Sequence, residues 1–500
     1  RHNINDLLPE YPTRALVMHV ENDQWLISDK TVEAVQQMPG AQLIMASSPI
    51  AHYAVFQSQE MARFPMVNTF LREIGIVETP GKVCDAPDYT SPRVNMNPDP
   101  ETSFWLDNMT HPFPPQFATV TDENGVEWEI GYFDVVCEGI ENPETLVVVH
   151  GKGAFASHYG YLIKYAVEQG LRVVALDMPH AGLSGPGNLG KPFARTFEDM
   201  RSAFHGVIVD QLGIEEAYYH GHSLGGQFVL GYALKYPEAV KGLVLEAPAG
   251  LEIFPNSVEA DGETLRICDP GIAHDFEAWE AAWGPTGALE SEMSRDEQSV
   301  RDFFHFKQRD PATGEVSDSP FGYFKNDTEY ARLHTDQRIA MISGNPEELE
   351  QWVTWFIYDI WTICNENSDS LEEPLLSRLP QIEAPIFLAF GSEEPFIPST
   401  SLNGLQDMAL EVINPFVASM EGAGREMVTK VYPGVGHFIH TDVPFEFARD
   451  TVDFIKTGEV ELVTADVVDM LVNKFASSVT PGAGAPTGHP GAAKPSGFSK

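Results

Sequence analysis

Five residues, Gly221-His222-Ser223-Leu224-Gly225, stand between a β-prone run, Glu216 to His220, and a run from Gly226 to Tyr236 that reads as a helix stopped by Pro237. A serine in that position occupies a sharp strand-to-helix turn with unfavourable backbone angles, and small neighbours at Gly221 and Gly225 relieve the crowding. The helix N-terminus behind it offers free N–H groups and positive potential to a developing oxyanion. The pattern predicts a nucleophilic serine. Its rival is a glycine-rich turn without chemistry, so the flanking sequence has to decide.

Thr145 to Val149 reads as a buried strand running into His150-Gly151-Lys152-Gly153, a loop able to aim a backbone N–H at the same oxyanion. Leu171 to Leu176 reads as another strand and opens into Asp177-Met178-Pro179-His180-Ala181-Gly182-Leu183-Ser184. With these loops and the serine turn in this order, the sequence resembles the α/β-hydrolase family, whose members carry an H-G loop, a D-x-P-x-x-G-x-S loop and a nucleophile elbow in succession. The resemblance implies an α/β-hydrolase fold, a mostly parallel sheet flanked by helices, with an acid and then a histidine following the serine.

Ala384 to Phe390 reads as a strand leading into Gly391-Ser392-Glu393-Glu394-Pro395-Phe396-Ile397-Pro398, which resembles the family's G-x-x-D-x-x-x-P acid loop with Glu394 at the aspartate position. Glu for Asp is a departure, because the longer side chain has to fold back to reach an imidazole, and Glu393 next door keeps the choice open. Met427 to Tyr432 reads as a strand ending in Pro433-Gly434-Val435-Gly436-His437-Phe438-Ile439-His440, which resembles the family's G-x-G-H loop with His437 as base and His440 as competitor. The resemblance then implies an acyl-enzyme on Ser223. His437 takes the hydroxyl proton and returns it to the leaving group, Glu394 holds the imidazole tautomer, and N–H groups of Lys152 or Gly153 and of Leu224 stabilise the oxyanion. His150, His180, His220 and His222 are expected to be structural and Asp177 to brace its loop. Neither a metal nor an organic cofactor is expected.

A chain of 500 residues with 43% hydrophobic content can bury a large core. Its net charge of −42 argues against nucleic-acid partners and anionic membranes, and would repel anionic substrates unless locally compensated. Cys84, Cys137, Cys268 and Cys364 lie far apart without metal-type spacing, so neither zinc nor a dense disulfide framework is expected. No run is long and apolar enough to span a bilayer and no signal peptide is visible, so a soluble protein without membrane insertion is expected. The start at Arg1 rather than Met leaves open both the cytoplasm and secretion after removal of an upstream segment.

Between the strand Lys241 to Glu246 and the acid-loop strand, residues 251–380 read as a helical cap rich in Trp and Phe. Most of these aromatics are expected to form the cap's own core, and a minority to line a cleft for a bulky or hydrophobic small molecule. The hydrolase core is expected over 116–250 and 381–476, beginning with a β-hairpin around Asp122-Glu123-Asn124-Gly125. Residues 81–115 read as a proline-rich extended connector with little secondary structure, and 477–500 as a disordered tail.

Residues 1–80 are the oddest part. A strand from Ala15 to Val20, Asp23, a strand from Gln42 to Met45 and His52 repeat the acid-strand-histidine order of the C-terminal third, with no serine turn before them. This half-domain resembles a partial second hydrolase. It is read as a degenerate duplicate, the remainder of a tandem enzyme, or a swapped element bringing Asp23 and His52 to another chain, with a homo-oligomer as the associated partner expectation. The chain as a whole reads as a serine esterase. The same triad serves thioesterases, amidases or peptidases, C–C bond hydrolases and acyltransferases, and a catalytically silent hydrolase-like binding protein is the alternative from another class.

Overall fold

The computed structural model describes residues 81–460 apart from 194–195, 261, 273–274, 305–306, 310–315, 319–323 and 326–327, together with two strands nearer the N-terminus. Those strands, Ala15–Val20 and Ala41–Ala46, pair in parallel. Asp23 and His52, the part of the expected core beyond Val460 and the tail lie outside the described residues.

Eight strands make the central sheet: β1 (Gln116–Thr121), β2 (Glu127–Val135), β3 (Thr145–Val149), β4 (Arg172–Leu176), β5 (Ala217–His222), β6 (Val240–Glu246), β7 (Ile386–Gly391) and β8 (Met427–Tyr432). Their order is β8-β7-β6-β5-β3-β4-β2-β1. The β1–β2 and β2–β4 pairs are antiparallel and the remaining neighbours parallel. Every residue of β3 and β7 is buried, as expected of strands covered on both faces. The hairpin turn is fixed by Asp122, whose Oδ1 accepts the N–H groups of Asn124 and Val126 while Oδ2 accepts the Trp128 indole N–H at 2.8 Å. Because β3, β5, β7 and β8 are parallel, the loops after them emerge along one edge of the sheet.

The flanking helices include α1 (Gly160–Glu168), α2 (Phe197–His205), α3 (Leu224–Lys235), α4 (Glu329–Met341), α5 (Pro346–Asn365) and α6 (Pro444–Thr457). α5 is begun by Asn345, whose side chain accepts the Glu347 and Glu348 N–H groups, and by Pro346 in the first turn. Its Trp352, Trp355 and Trp361 are buried. The insertion between β6 and β7 is not purely helical, since Val258–Ala260 pairs antiparallel with Glu263–Leu265 and Lys307–Arg309 with Val316–Asp318. A groove of about 310 Å³ within it is lined by Trp279, Trp283 and Ile357 among others, and none of its lining residues belongs to the serine turn or the loops around it.

The proline-rich stretch carries little regular secondary structure but is held against the rest of the molecule. It holds a short helix, Phe104–Asp107, and Arg93–Val94 pairs with Met109–Thr110. Phe104 and Trp105 are buried and their N–H groups meet Glu348 Oε2 of α5, at 2.9 Å and 3.4 Å. His111 bridges the Trp105 carbonyl and Ser157 Oγ. Aromatic anchors, invisible to a proline count, tie the segment down.

Two long-range devices fasten the insertion to the sheet layer. The buried Arg201 guanidinium of α2 donates to the Gln227 and Phe228 carbonyls of α3 and meets Glu366, just past α5, at 2.6 Å. Gln227 Nε2 also donates to the Ile363 carbonyl and to Glu366, at 3.0 Å each. All four cysteines are paired, as Cys84–Cys137 and Cys268–Cys364. Their separations of 53 and 96 residues hid the pairing from a reading of local spacing. Arg201→Met is expected to destabilise the fold by about 3–5 kcal/mol, because it takes a buried guanidinium away from Glu366 and two helix carbonyls and leaves the neutral Gln227 amide to hold the carboxylate; the urea midpoint measures this. Replacing Cys268 and Cys364 by Ser should cost about 2–5 kcal/mol on the same assay.

Candidate active site

Ser223 follows β5 and caps α3 with φ 52° and ψ −118°, a conformation costly for any residue with a Cβ. The strain is held by main-chain bonds on both sides. Its N–H donates to the Glu246 carbonyl of β6 at 2.9 Å, and its own carbonyl accepts from Gly226 and Ala249, each at 2.8 Å. A Cβ on Gly225 would lie 2.4 Å from the Val149 carbonyl oxygen, so only glycine lets the start of α3 press against the end of β3. That contact sets the start of α3 against His150, at the head of the loop containing Lys152 and Gly153. Among the described residues, the N–H groups of Lys152, Gly153 and Leu224 have no backbone hydrogen-bond partner.

Glu394 and His437 meet across the loops after β7 and β8, with Glu394 Oε2 2.7 Å from His437 Nδ1. The extra methylene of Glu394 is taken up by a bend in which Oε1 accepts the Phe396 and Ile397 N–H groups, at 2.7 Å and 3.3 Å. The carboxylate is fully buried, whereas Glu393 is half exposed and faces Lys325 Nζ at 3.2 Å. His440 lies elsewhere. Its Nδ1 and main-chain N–H both meet Glu246 Oε1 at 2.8 Å, and His220 Nε2 approaches the other Glu246 oxygen at 2.9 Å, deep beneath the turn. Ser223 Oγ makes no hydrogen bond with a described residue, but the neighbouring His222 touches the loop after β8, its Nε2 3.1 Å from the His437 carbonyl.

The surrounding loops are braced by buried polar groups. Asp177 accepts the Ala156 N–H at 2.6 Å and the Leu183 N–H at 2.8 Å, and burial raises its carboxyl to about 7. His150 Nε2 accepts the Met178 N–H, so its proton sits on Nδ1 and points to the Gly151 carbonyl; burial depresses its pKa to about 4, which keeps the ring neutral. α5 lies over this loop. The Trp355 ring meets His150 edge-on at 6.0 Å, and Lys152 Nζ sits 3.1 Å from the centroid of Phe356, its pKa lowered to about 8 chiefly by burial. Among the described residues, no group of three His, Cys, Asp or Glu is placed to hold a metal ion, and no helix is long and apolar enough to cross a membrane.

A profile of the α/β-hydrolase fold matches residues 144–283, from the start of β3 through the serine turn. The 2-hydroxy-6-oxononadienedioate/2-hydroxy-6-oxononatrienedioate hydrolase of Klebsiella pneumoniae is 34% identical over 321 residues, 63% of this chain and 88% of its own. The chain belongs to the α/β-hydrolase family. A second member, the 2-hydroxy-6-oxo-6-phenylhexa-2,4-dienoate hydrolase of Burkholderia cepacia, is 32% identical over 329 residues, again 63% of this chain and 88% of that one. The crystal structure of a probable hydrolytic enzyme from Pseudomonas aeruginosa PAO1 aligns with 70% of this α/β-hydrolase and 96% of its own chain, at 20% identity and a TM-score of 0.49.

The aromatic wall that α5 lays over Lys152 was legible only as composition, since the sequence placed Trp352, Trp355 and Phe356 in the insertion without saying which loop they face. Tyr159, whose hydroxyl lies 3.0 Å from His222 Nδ1, carried no sequence signal at all.

Proposed function

We propose that this α/β-hydrolase cleaves a carboxylic ester of a bulky or hydrophobic small molecule through an acyl-enzyme on Ser223, with His437 as base and Glu394 as the acid that orients it. The observation that carries the reading is the 2.7 Å contact between the buried Glu394 carboxylate and His437 Nδ1, on loops that share an edge with the strained Ser223. A proton on Nδ1 leaves Nε2 bare, the state needed to take the Ser223 hydroxyl proton as Oγ adds to the carbonyl carbon. The proton then passes to the leaving alcohol, and water repeats the sequence to release the acid. The N–H groups of Leu224 and of Lys152 or Gly153 receive the oxyanion, and the insertion acts as a cap that excludes water.

A second reading, hydrolysis of a carbon–carbon bond, is supported by the two relatives that span 63% of the chain. Their named substrates carry carboxylate, enol and ketone groups and no ester. Lys152 supports it further: in a chain of net charge −42, its ammonium beside Phe356 puts a positive charge near the candidate oxyanion loop, although Asp359 and Glu292 also act on it. p-Nitrophenyl esters of increasing chain length, assayed beside a coloured 2-hydroxy-6-oxo dienoate, separate the readings. Faster turnover of the esters supports esterase action, faster bleaching of the dienoate supports C–C cleavage, and turnover of neither overturns both. If the dienoate is the substrate, Lys152→Met should raise its KM about tenfold and leave that of a neutral ester unchanged. Its KM should also climb as pH passes about 8, where the ammonium is lost.

The N-terminal half-domain is read as a support for this site rather than a contributor to it, so His52→Ala should leave most turnover intact. The two disulfides fit an oxidising compartment.

A further inference from the structure

We infer that His222 and Tyr159 are positioning residues that join the oxyanion loop, the serine turn and the base loop through one chain of hydrogen bonds; the inference rests on the serine-hydrolase reading above. His222 is fully buried at the last position of β5. Its Nε2 is 3.1 Å from the His437 carbonyl oxygen, and since a carbonyl can only accept, the ring proton is on Nε2. Nδ1 is then bare and accepts the Tyr159 hydroxyl proton at 3.0 Å. The Tyr159 oxygen, its proton so directed, accepts the Gly151 N–H at 3.4 Å. One assignment of protons satisfies all three contacts.

The surroundings hold that assignment in place. The Tyr159 ring stacks on His440 at 4.1 Å, and His440 is itself held by Glu246, so the ring cannot swing aside without disturbing a buried hydrogen bond. A Cβ on Gly151 would lie 2.7 Å from His222 Nδ1, so the oxyanion loop passes directly against the imidazole. The ionisable groups facing His222 are Glu246, His437, His440 and His220, yet burial holds its pKa well below the ordinary value and that of Tyr159 well above, so both stay neutral.

The consequence is a division of labour at the base. Glu394 fixes the rotation of the His437 ring from its side chain, and His222 fixes the root of the same residue from its main chain. Because His222 adjoins Ser223 in sequence, the distance from nucleophile to base is set by a covalent neighbour and one hydrogen bond. Tyr159 extends the same constraint to the loop carrying the oxyanion N–H groups.

With active sites counted by fluorophosphonate incorporation, His222→Ala is expected to lower kcat per site roughly 100-fold, the scale of a small misplacement of reacting groups, with little change in KM. His222→Gln, whose amide N–H can reach the same carbonyl, should recover about tenfold of that loss, and Tyr159→Phe should cost about tenfold. Wild-type kcat per site in both His222→Ala and Tyr159→Phe would overturn the inference. Nitrogen-15 NMR of the wild-type protein is independent of how the variants fold: the His222 ring should carry its proton on Nε2 and not titrate between about pH 5 and 8, and a proton on Nδ1 or a titrating ring would overturn it. Failure of the wild-type Ser223 to take the probe would instead overturn the serine-hydrolase reading, leaving the tautomer measurement to stand alone.

Discussion

Ser223→Ala should lower turnover on the order of a million-fold, because it removes the atom that forms the acyl bond while leaving the fold and the oxyanion N–H groups in place. The same substitution should abolish labelling by a fluorophosphonate probe, which in the wild-type protein should modify a single peptide, the one containing Ser223. Peptide mapping by mass spectrometry checks both halves. Labelling at a different serine, or a Ser223→Ala variant that keeps its turnover, would remove Ser223 from the reaction. The conformation at φ 52° makes alanine tolerable there, since it carries no more strain than serine does, so a folded inactive protein is the expected product.

Glu394→Gln should cost about 10⁴-fold in kcat. The amide presents either an oxygen that is no longer charged or an NH₂ that forces the proton onto Nε2 of His437, the tautomer unable to accept from Ser223. Glu393→Gln should stay within a few-fold of wild type, because Glu393 pairs with Lys325 at the surface rather than with the imidazole. Steady-state kinetics of the two variants on one substrate give the comparison directly. Equal losses would mean that the acid loop changes partners during the reaction. His437→Ala should fall with the severe member of the pair, and its loss should not add to that of Ser223→Ala, because the two groups act in the same step.

The serine turn was legible because its signals are local: a strand, a residue with small neighbours and a helix must follow one another within a dozen positions. The acid loop was less so. Glu393 and Glu394 differ by one position, and the choice is made by the Phe396 and Ile397 N–H groups, which fold the longer side chain back toward His437. Those donors can be counted in the sequence but not aimed. Grouping His150, His180, His220 and His222 as structural histidines gave them no partners, and three of them have different ones: the Met178 N–H for His150, Glu246 for His220 and the His437 carbonyl for His222. Partners of this kind sit 26 to 215 positions away, and nothing in local periodicity encodes them. The disulfides and the packing of Phe104 and Trp105 under α5 were hidden for the same reason. The strands of residues 1–80 were readable, but their place in the molecule was not.

The helix that covers Lys152 is secured at both of its ends. Near the first turn, Glu348 receives the Phe104 and Trp105 N–H groups; near the last, Cys364 is joined to Cys268, and Glu366 is gripped by Arg201 and Gln227. A beam fixed at both supports does not swing. Under the proposed reading, a substrate reaching Lys152 would pass by rotation of single side chains such as Phe356 rather than by lifting of the whole cover.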